Sequence, residues 1–154
     1  MQTDNLTQPT LTDLKPAVLL VEDDHLDTLQ LEREFRKQNL TNAVHVARNG
    51  REALDMLHGG RLEKIEPRPG VVILDINMPR LNGLEFLHLL RRDPALRDLK
   101  VFILTTSDDT AERDLARDMG VAGYLVKPFS FADISTGGEN APALQSLLQA
   151  LQPE

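Results

Sequence analysis

The chain has 154 residues, 41% of them hydrophobic and 4% aromatic, so it can build one aliphatic core and is too apolar for a disordered polymer. Its 17 basic and 24 acidic residues leave a net charge of −7, which argues against electrostatic capture of nucleic acid or an anionic membrane surface. Cysteine is absent, which excludes disulfides, thiolate metal sites and cysteine nucleophiles.

Residues 1–16 are polar, carry no apolar signal region, and read as an N-terminal extension to a domain spanning 17–154. No apolar run reaches membrane-spanning length, so a cytoplasmic protein is expected. Ala17–Val21 is a short apolar run ending in three acids and predicts a buried strand. A helix follows over His25–Gln38, with Leu26, Leu29 and Phe35 as its apolar residues and Asn39 as its stop. Ala43–Val46 predicts a second strand, and Asn49-Gly50 opens a helix carrying Ala53, Leu54 and Leu57 that Gly59-Gly60 closes. Residues 61–70 form a long connection whose two prolines oppose regular structure.

Val71–Leu74 predicts a third strand that delivers Asp75. A turn through Pro79, Asn82 and Gly83 leads to a helix facing inward through Leu84, Phe86, Leu87 and Leu90, ended by Asp93-Pro94. Val101–Leu104 is the fourth strand, Ser107–Met119 the fourth helix with Gly120 as its stop, and Ala122–Val126 the fifth strand before Lys127-Pro128. The tail is less regular. Ser130 and Asp133 are spaced as a capping pair, Gly137-Gly138 interrupts, and Pro142–Leu151 carries Leu144, Leu147, Leu148 and Leu151 on one helix face. That stripe packs either on the sheet or on a partner, and core packing is the commoner use.

Five apolar strands alternating with helices predict a doubly wound α/β fold. The expected sheet is parallel, five-stranded and flavodoxin-like, in order 2-1-3-4-5, with helices on both faces. Function in such sheets lies beyond the carboxyl ends of the strands. There the sequence places Glu22, Asp23 and Asp24, then Asp75, then Thr105 and Thr106, then Lys127. Crowded carboxylates with no histidine or cysteine among them call for a hard cation, and oxygen ligands favour Mg2+. Lys127 adds a point charge and Thr105 a hydroxyl for a phosphoryl group, leaving Asp75 as the nucleophile.

Four motifs, VLLVEDD, ILDINMPRLNG, ILTTS and GYLVKPF, stand in order at four of those strand ends. With them the chain resembles the receiver domains of two-component response regulators from Ala17 to about Phe131. The resemblance implies Asp75 as phosphoacceptor; Glu22, Asp23, Asp75 and the main-chain carbonyl of Asn77 around Mg2+; Lys127 paired with the phosphoryl group; and a cis Lys127-Pro128 bond. It also implies that Thr105 and Tyr124 move together as a switch, although Tyr124 also fits a plain core aromatic. The implied partner is a sensor histidine kinase.

The N-terminal extension, the long connection and the LTTS motif resemble the stand-alone regulators that partner phytochromes. With only 27 residues after Lys127, no output domain is expected, so a homodimer and a downstream protein would carry the signal. Asp24 and Asp27 read as helix-start acids, Thr106 and Ser107 as caps, Met78-Pro79 as a turn, and His25, His45, His58 and His88 as surface residues.

Three other readings compete. A haloacid-dehalogenase-like phosphohydrolase would need a D-x-D motif on an early strand and a cap. A flavin module would need a hydroxyl-rich phosphate loop where this chain has acids. A phosphate-independent receiver would not retain Asp75, Asp23 and Lys127 together.

Overall fold

A computed structural model describes residues 15–60, 64–77, 83–106 and 110–153. Its strands are β1 (Val18–Val21), β2 (Val44–Ala47), β3 (Val71–Asp75), β4 (Lys100–Thr105) and β5 (Gly123–Val126). They form one parallel sheet in the order β2-β1-β3-β4-β5. The helices are α1 (His25–Lys37), α2 (Gly50–His58), α3 (Gly83–Arg92), α4 (Thr110–Asp118), α5 (Asp133–Thr136) and α6 (Ala141–Ala150).

Parallel strands joined by helical crossovers are covered on both faces, which is why β1 and β3 are buried along their whole length. On one face Leu19, Val21, Val72, Leu74, Val101 and Ile103 pack with Phe86, Leu87 and Leu90 of α3 and Leu57 of α2. On the other, Val18, Leu20, Val71, Ile73, Phe102 and Leu104 pack with Leu31 and Phe35 of α1 and Leu144, Leu147 and Leu151 at the tail. The expected fold class therefore holds, with strand boundaries within a residue of those expected.

One helix face differs from the expectation. Leu26 and Leu29 are 73% and 46% exposed, and the inward residues of α1 are Thr28, Leu31, Glu34 and Phe35. At 100° per residue, Leu26 stands about 140° from Leu31 and Leu29 about 200° from it, so neither shares the face that Leu31 and Phe35 define. Glu34 is buried because it has work on that face: Oε1 accepts the Phe131 N–H at 3.0 Å, and Lys37 Nζ lies 3.6 Å from Oε2.

Caps follow the local chemistry. Asp24 caps α1 by accepting from the Leu26 and Asp27 N–H groups, and Asn49 caps α2 through the Glu52 N–H. Asn39 stops α1 in the left-handed region with φ 58°. Residues 78–82 and 107–109, which hold the expected Met78-Pro79 and Asn82 turn and the Ser107 cap, lie outside the described residues, as do 1–14 of the extension.

The tail differs from one smooth helix. The Ser130 N–H donates to Asp133 Oδ2 at 3.1 Å, half of a capping pair, while Ser130 Oγ accepts from Ala132 instead of Asp133. α5 begins only at Asp133 and ends at Thr136, where Gly137 in the left-handed region with φ 74° caps it. α6 then starts at Ala141 with Pro142 in its first turn, where the missing N–H is harmless. Leu144, Leu147 and Leu151 are 0 to 1% exposed and Leu148 is partly buried, so the leucine stripe closes the core. Asn140 ties this segment to β5: its amide donates to the Val126 carbonyl at 2.8 Å and its oxygen accepts the Val126 N–H at 3.0 Å. Gly123 lets α6 lie close, since a Cβ there would fall 3.0 Å from Ala143 Cβ and 2.9 Å from the Phe102 ring.

Candidate functional site

The site forms where the carboxyl ends of β1, β3, β4 and β5 meet, because the order β2-β1-β3-β4-β5 sets β3 between β1 and β4. β1, β3 and β4 each carry their buried run on to one polar residue. Asp75 closes β3 at 3% exposure, Thr105 closes β4 at 0%, and Glu22 follows β1 at 2%. Asp23 is exposed at the rim. Carboxylate oxygens of Glu22, Asp23 and Asp75 all lie within 4.8 Å of one another.

Lys127, one residue beyond β5, reaches back over these acids. Its Nζ lies 2.6 Å from Asp27 Oδ2, 2.9 Å from Glu22 Oε1 and 3.2 Å from Asp75 Oδ2. The Lys127-Pro128 peptide is cis, as expected; a second cis bond, Glu66-Pro67, was not foreseen. Burial alone would lower the Lys127 pKa, but Asp27, Glu22 and Asp75 outweigh it and hold the ammonium charged far above neutrality.

Glu22 shows the strain of the cluster. Burial, then its hydrogen bond and charge repulsion with Asp75, push its pKa up to about 8, against the pull of Lys127. Its Oε1 is buried and makes no well-formed hydrogen bond despite the nearby ammonium. An all-oxygen donor set with an under-satisfied buried carboxylate fits a hard divalent cation. Glu22, Asp23 and Asp75 are the side chains that would hold it.

The raised pKa of Glu22 has a sign that can be measured. An acid whose folded pKa lies above its unfolded value of about 4.5 adds stability below that value and loses it as pH rises through about 8. In chelator, the melting temperature is expected to fall between pH 5 and 8, and Mg2+ to flatten that fall by taking the place of the proton. Equal pH slopes with and without Mg2+ would contradict this account.

A second chain of contacts leads away from Asp75. The Asn77 N–H donates to Asp75 Oδ1 at 2.8 Å, and Asn77 Nδ2 donates to Thr105 Oγ1 at 2.6 Å. The Tyr124 hydroxyl donates to Glu112 Oε1 at 3.2 Å, and the Thr105 side chain is near enough to pull the Tyr124 pKa down against burial and Glu112. The Arg113 guanidinium sits 4.6 Å from the Tyr124 ring centroid. Burial and Glu112 push the Tyr124 pKa up to about 12, so the phenol keeps its proton as a donor. Gly83 crowds the base of this loop: a Cβ there would fall 2.4 Å from Ile76 Cα and 2.7 Å from the Asp75 carbonyl oxygen.

The structure thus gathers Glu22, Asp23, Asp75, Lys127, Asn77, Thr105 and Tyr124 into one connected region. It also corrects the reading of Asp27, which is more than a helix-start acid because it makes the shortest contact to Lys127. Its signal was present but weak: Asp27 stands in the first turn of α1, three residues past the Asp24 cap and close to the end of β1. Glu112 carried no comparable signal. His25, His58 and His88 are exposed and His45 half-buried; His58 pairs with Asp93 at 2.8 Å, far from this chemistry in the chain.

Comparison with known proteins agrees with the geometry. Residues 18–137 match the family described as response regulator receiver domain. A probable methanogenesis regulatory protein FilR2 from Methanothrix harundinacea is 37% identical over 76% of this chain and 75% of its own. The chain spans about half the length of the response regulators MprA, 46% for that of Mycolicibacterium vanbaalenii at 36% identity. Among solved structures, a two-component response regulator from Legionella pneumophila is 35% identical, with a TM-score of 0.72 over 88% of this chain and 99% of that one. The bacteriophytochrome response regulator RtBRR is 34% identical, with a TM-score of 0.70 over 80% of this chain and 75% of that one.

Proposed function

Because the chain belongs to the response regulator receiver domain family, we propose that Asp75 accepts a phosphoryl group from a sensor histidine kinase. The observation that carries this reading is Asp75 itself. It is buried at a strand end, within 4.8 Å of two further carboxylates and 3.2 Å from Lys127 Nζ.

An Asp75 oxygen forms the bond to phosphorus as the bond from phosphorus to the donor imidazole breaks. A bound Mg2+, held by Glu22, Asp23, Asp75 and the Asn77 main-chain carbonyl, would neutralise the phosphoryl oxygens and the crowded acids. Lys127 supplies a fixed positive charge on the other side. The Asn77 N–H orients the nucleophile from 2.8 Å. Thr105 then turns its hydroxyl toward the phosphoryl group, and Tyr124, whose side chain lies next to Thr105, moves with it.

The protein is a signalling phosphoacceptor whose catalysis extends only to its own phosphorylation and dephosphorylation. It acts in the cytoplasm; among the described residues, no helix is long and apolar enough to cross a membrane. The likeness to RtBRR supports a bacteriophytochrome kinase as the donor. Output runs through protein contacts, with a homodimer over α4 and β5 as the arrangement that places Tyr124 at the interface.

Incubation with acetyl phosphate and Mg2+, followed by intact-mass measurement, tests the reading. One added phosphoryl mass is expected, with none in chelator; no gain with Mg2+, or an equal gain without it, refutes it.

Lys127→Ala is expected to take up the phosphoryl group more slowly yet lose the response. Tyr124 is the single tyrosine and the chain has no tryptophan, so intrinsic fluorescence reports on it directly. A variant that labels and shifts Tyr124 fluorescence like the parent shows that Lys127 does not couple the two.

A further inference from the structure

Lys127 faces more negative charge than one ammonium can answer. Three carboxylates contact it, and only two of them, Glu22 and Asp75, belong to the proposed cation site. The third, Asp27, reaches in from α1, which β1 feeds directly, and its contact of 2.6 Å is the shortest of the three. Its side chain is about one-third exposed while that of Lys127 is 12% exposed, so the pair stands at the lip of the site.

The backbone beneath this contact is held. The Asp24 cap anchors the first turn of α1, and Glu34 of the same helix accepts the Phe131 N–H four residues after Lys127. α1 therefore grips the segment after β5 at two points, and Asp27 is positioned by a rigid element.

The geometry points to Asp27 as the resting counter-ion of Lys127: it makes the shortest of three contacts to the ammonium and so weakens the hold of Lys127 on Glu22 and Asp75, the acids a divalent cation would need. Lys127 exchanges Asp27 for the phosphoryl group on phosphorylation, a step that rests on the function proposed above. Asp27 is a positioning residue, since it acts through Lys127. Without it, the ammonium is left to Glu22 and Asp75 alone, which it already contacts, and competes more strongly with the cation for their oxygens.

Calorimetric titration with Mg2+ alone tests this in five proteins: parent, Asp27→Asn, Asp27→Glu, Lys127→Ala and the double variant Asp27→Asn/Lys127→Ala. Asp27→Asn is expected to weaken Mg2+ binding roughly fivefold, the scale of a partly exposed ion pair. In the Lys127→Ala background the same change is expected to cost no more than about twofold, the residue of a lost nearby charge. Asp27→Glu, which keeps a carboxylate within reach of Lys127, restores most of the affinity. Unchanged affinity in Asp27→Asn overturns the proposal, as does an equal loss in both backgrounds, which would make Asp27 a bare charge. A parent that binds Mg2+ yet takes up no phosphoryl group refutes the phosphoacceptor reading alone, because this cycle reads Mg2+ binding without phosphate.

Discussion

Ending the chain after Ser135 is expected to abolish the cooperative unfolding transition. The cut removes α6 and with it Leu144, Leu147 and Leu151, which are 0 to 1% exposed against Phe102, Leu104 and Leu125. Emptying one buried leucine site costs about 2–5 kcal/mol, so three together are comparable to the roughly 5–15 kcal/mol that holds a typical domain folded. The cut also strips the Val126 backbone of its Asn140 partner and the Asn42 side chain of the Leu151 carbonyl, which accepts from it at 2.9 Å. Circular dichroism during urea titration is the measurement. A sigmoidal transition near the parent midpoint would mean that the tail is an appended arm. The single change Leu147→Ala, expected to cost about 3 kcal/mol, gives a graded version that still folds.

Asp75→Asn is expected to abolish phosphoryl uptake while leaving the metal-free protein as stable as the parent or more so. The amide is nearly the same shape, and its oxygen can still accept the Asn77 N–H that Asp75 Oδ1 accepts at 2.8 Å. It has no anionic oxygen to form an acyl phosphate. The charge it removes is one that Glu22 resists: repulsion from Asp75 is among the causes that push the Glu22 pKa up to about 8. Relief of that repulsion brings the Glu22 pKa down, and the fall of stability with rising pH becomes shallower. The lost contact between Lys127 and position 75 works the other way. It is the longest of the lysine's three, so Glu22 and Asp27 retain the ammonium. Intact mass and a thermal melt in chelator read the two effects on one sample. Retained labelling would move the acceptor elsewhere. A large drop in melting temperature would show that Asp75 stabilises the empty site.

Most of this was legible from local sequence because the fold writes it locally. A parallel strand covered on both faces must be a continuous apolar run, so VLLV, VVIL and VFIL announced themselves, and the polar residue ending each run marked the site. What could not be read depends on distance in the chain. The contact of Asp27 with Lys127 joins residues 100 apart, and that of Glu34 with Phe131 joins residues 97 apart. Such pairs exist only once the sheet sets β1 and β5 with just β3 and β4 between them, which no helical periodicity reveals. The α1 face was misjudged for a related reason: a leucine contributes the same apolarity whether it lands inside or out, and Thr28 and Glu34, not Leu26 and Leu29, occupy the buried positions. In the tail, the glycine pair promised a break, but nothing local said that Asn140 would turn its amide to the sheet.

That amide also bears on how the molecule meets its neighbours. β5 is the last strand of the sheet, and on its open side the backbone groups of Val126 would ordinarily be free to template another strand. Both are already taken by a single side chain that imitates a peptide, in a strand of only four residues. Main-chain pairing at that point of the border is thereby blocked. A protein that recognises this side must read side chains, so its selectivity can follow what the side chain of Tyr124 does and need not respond to a bare strand edge.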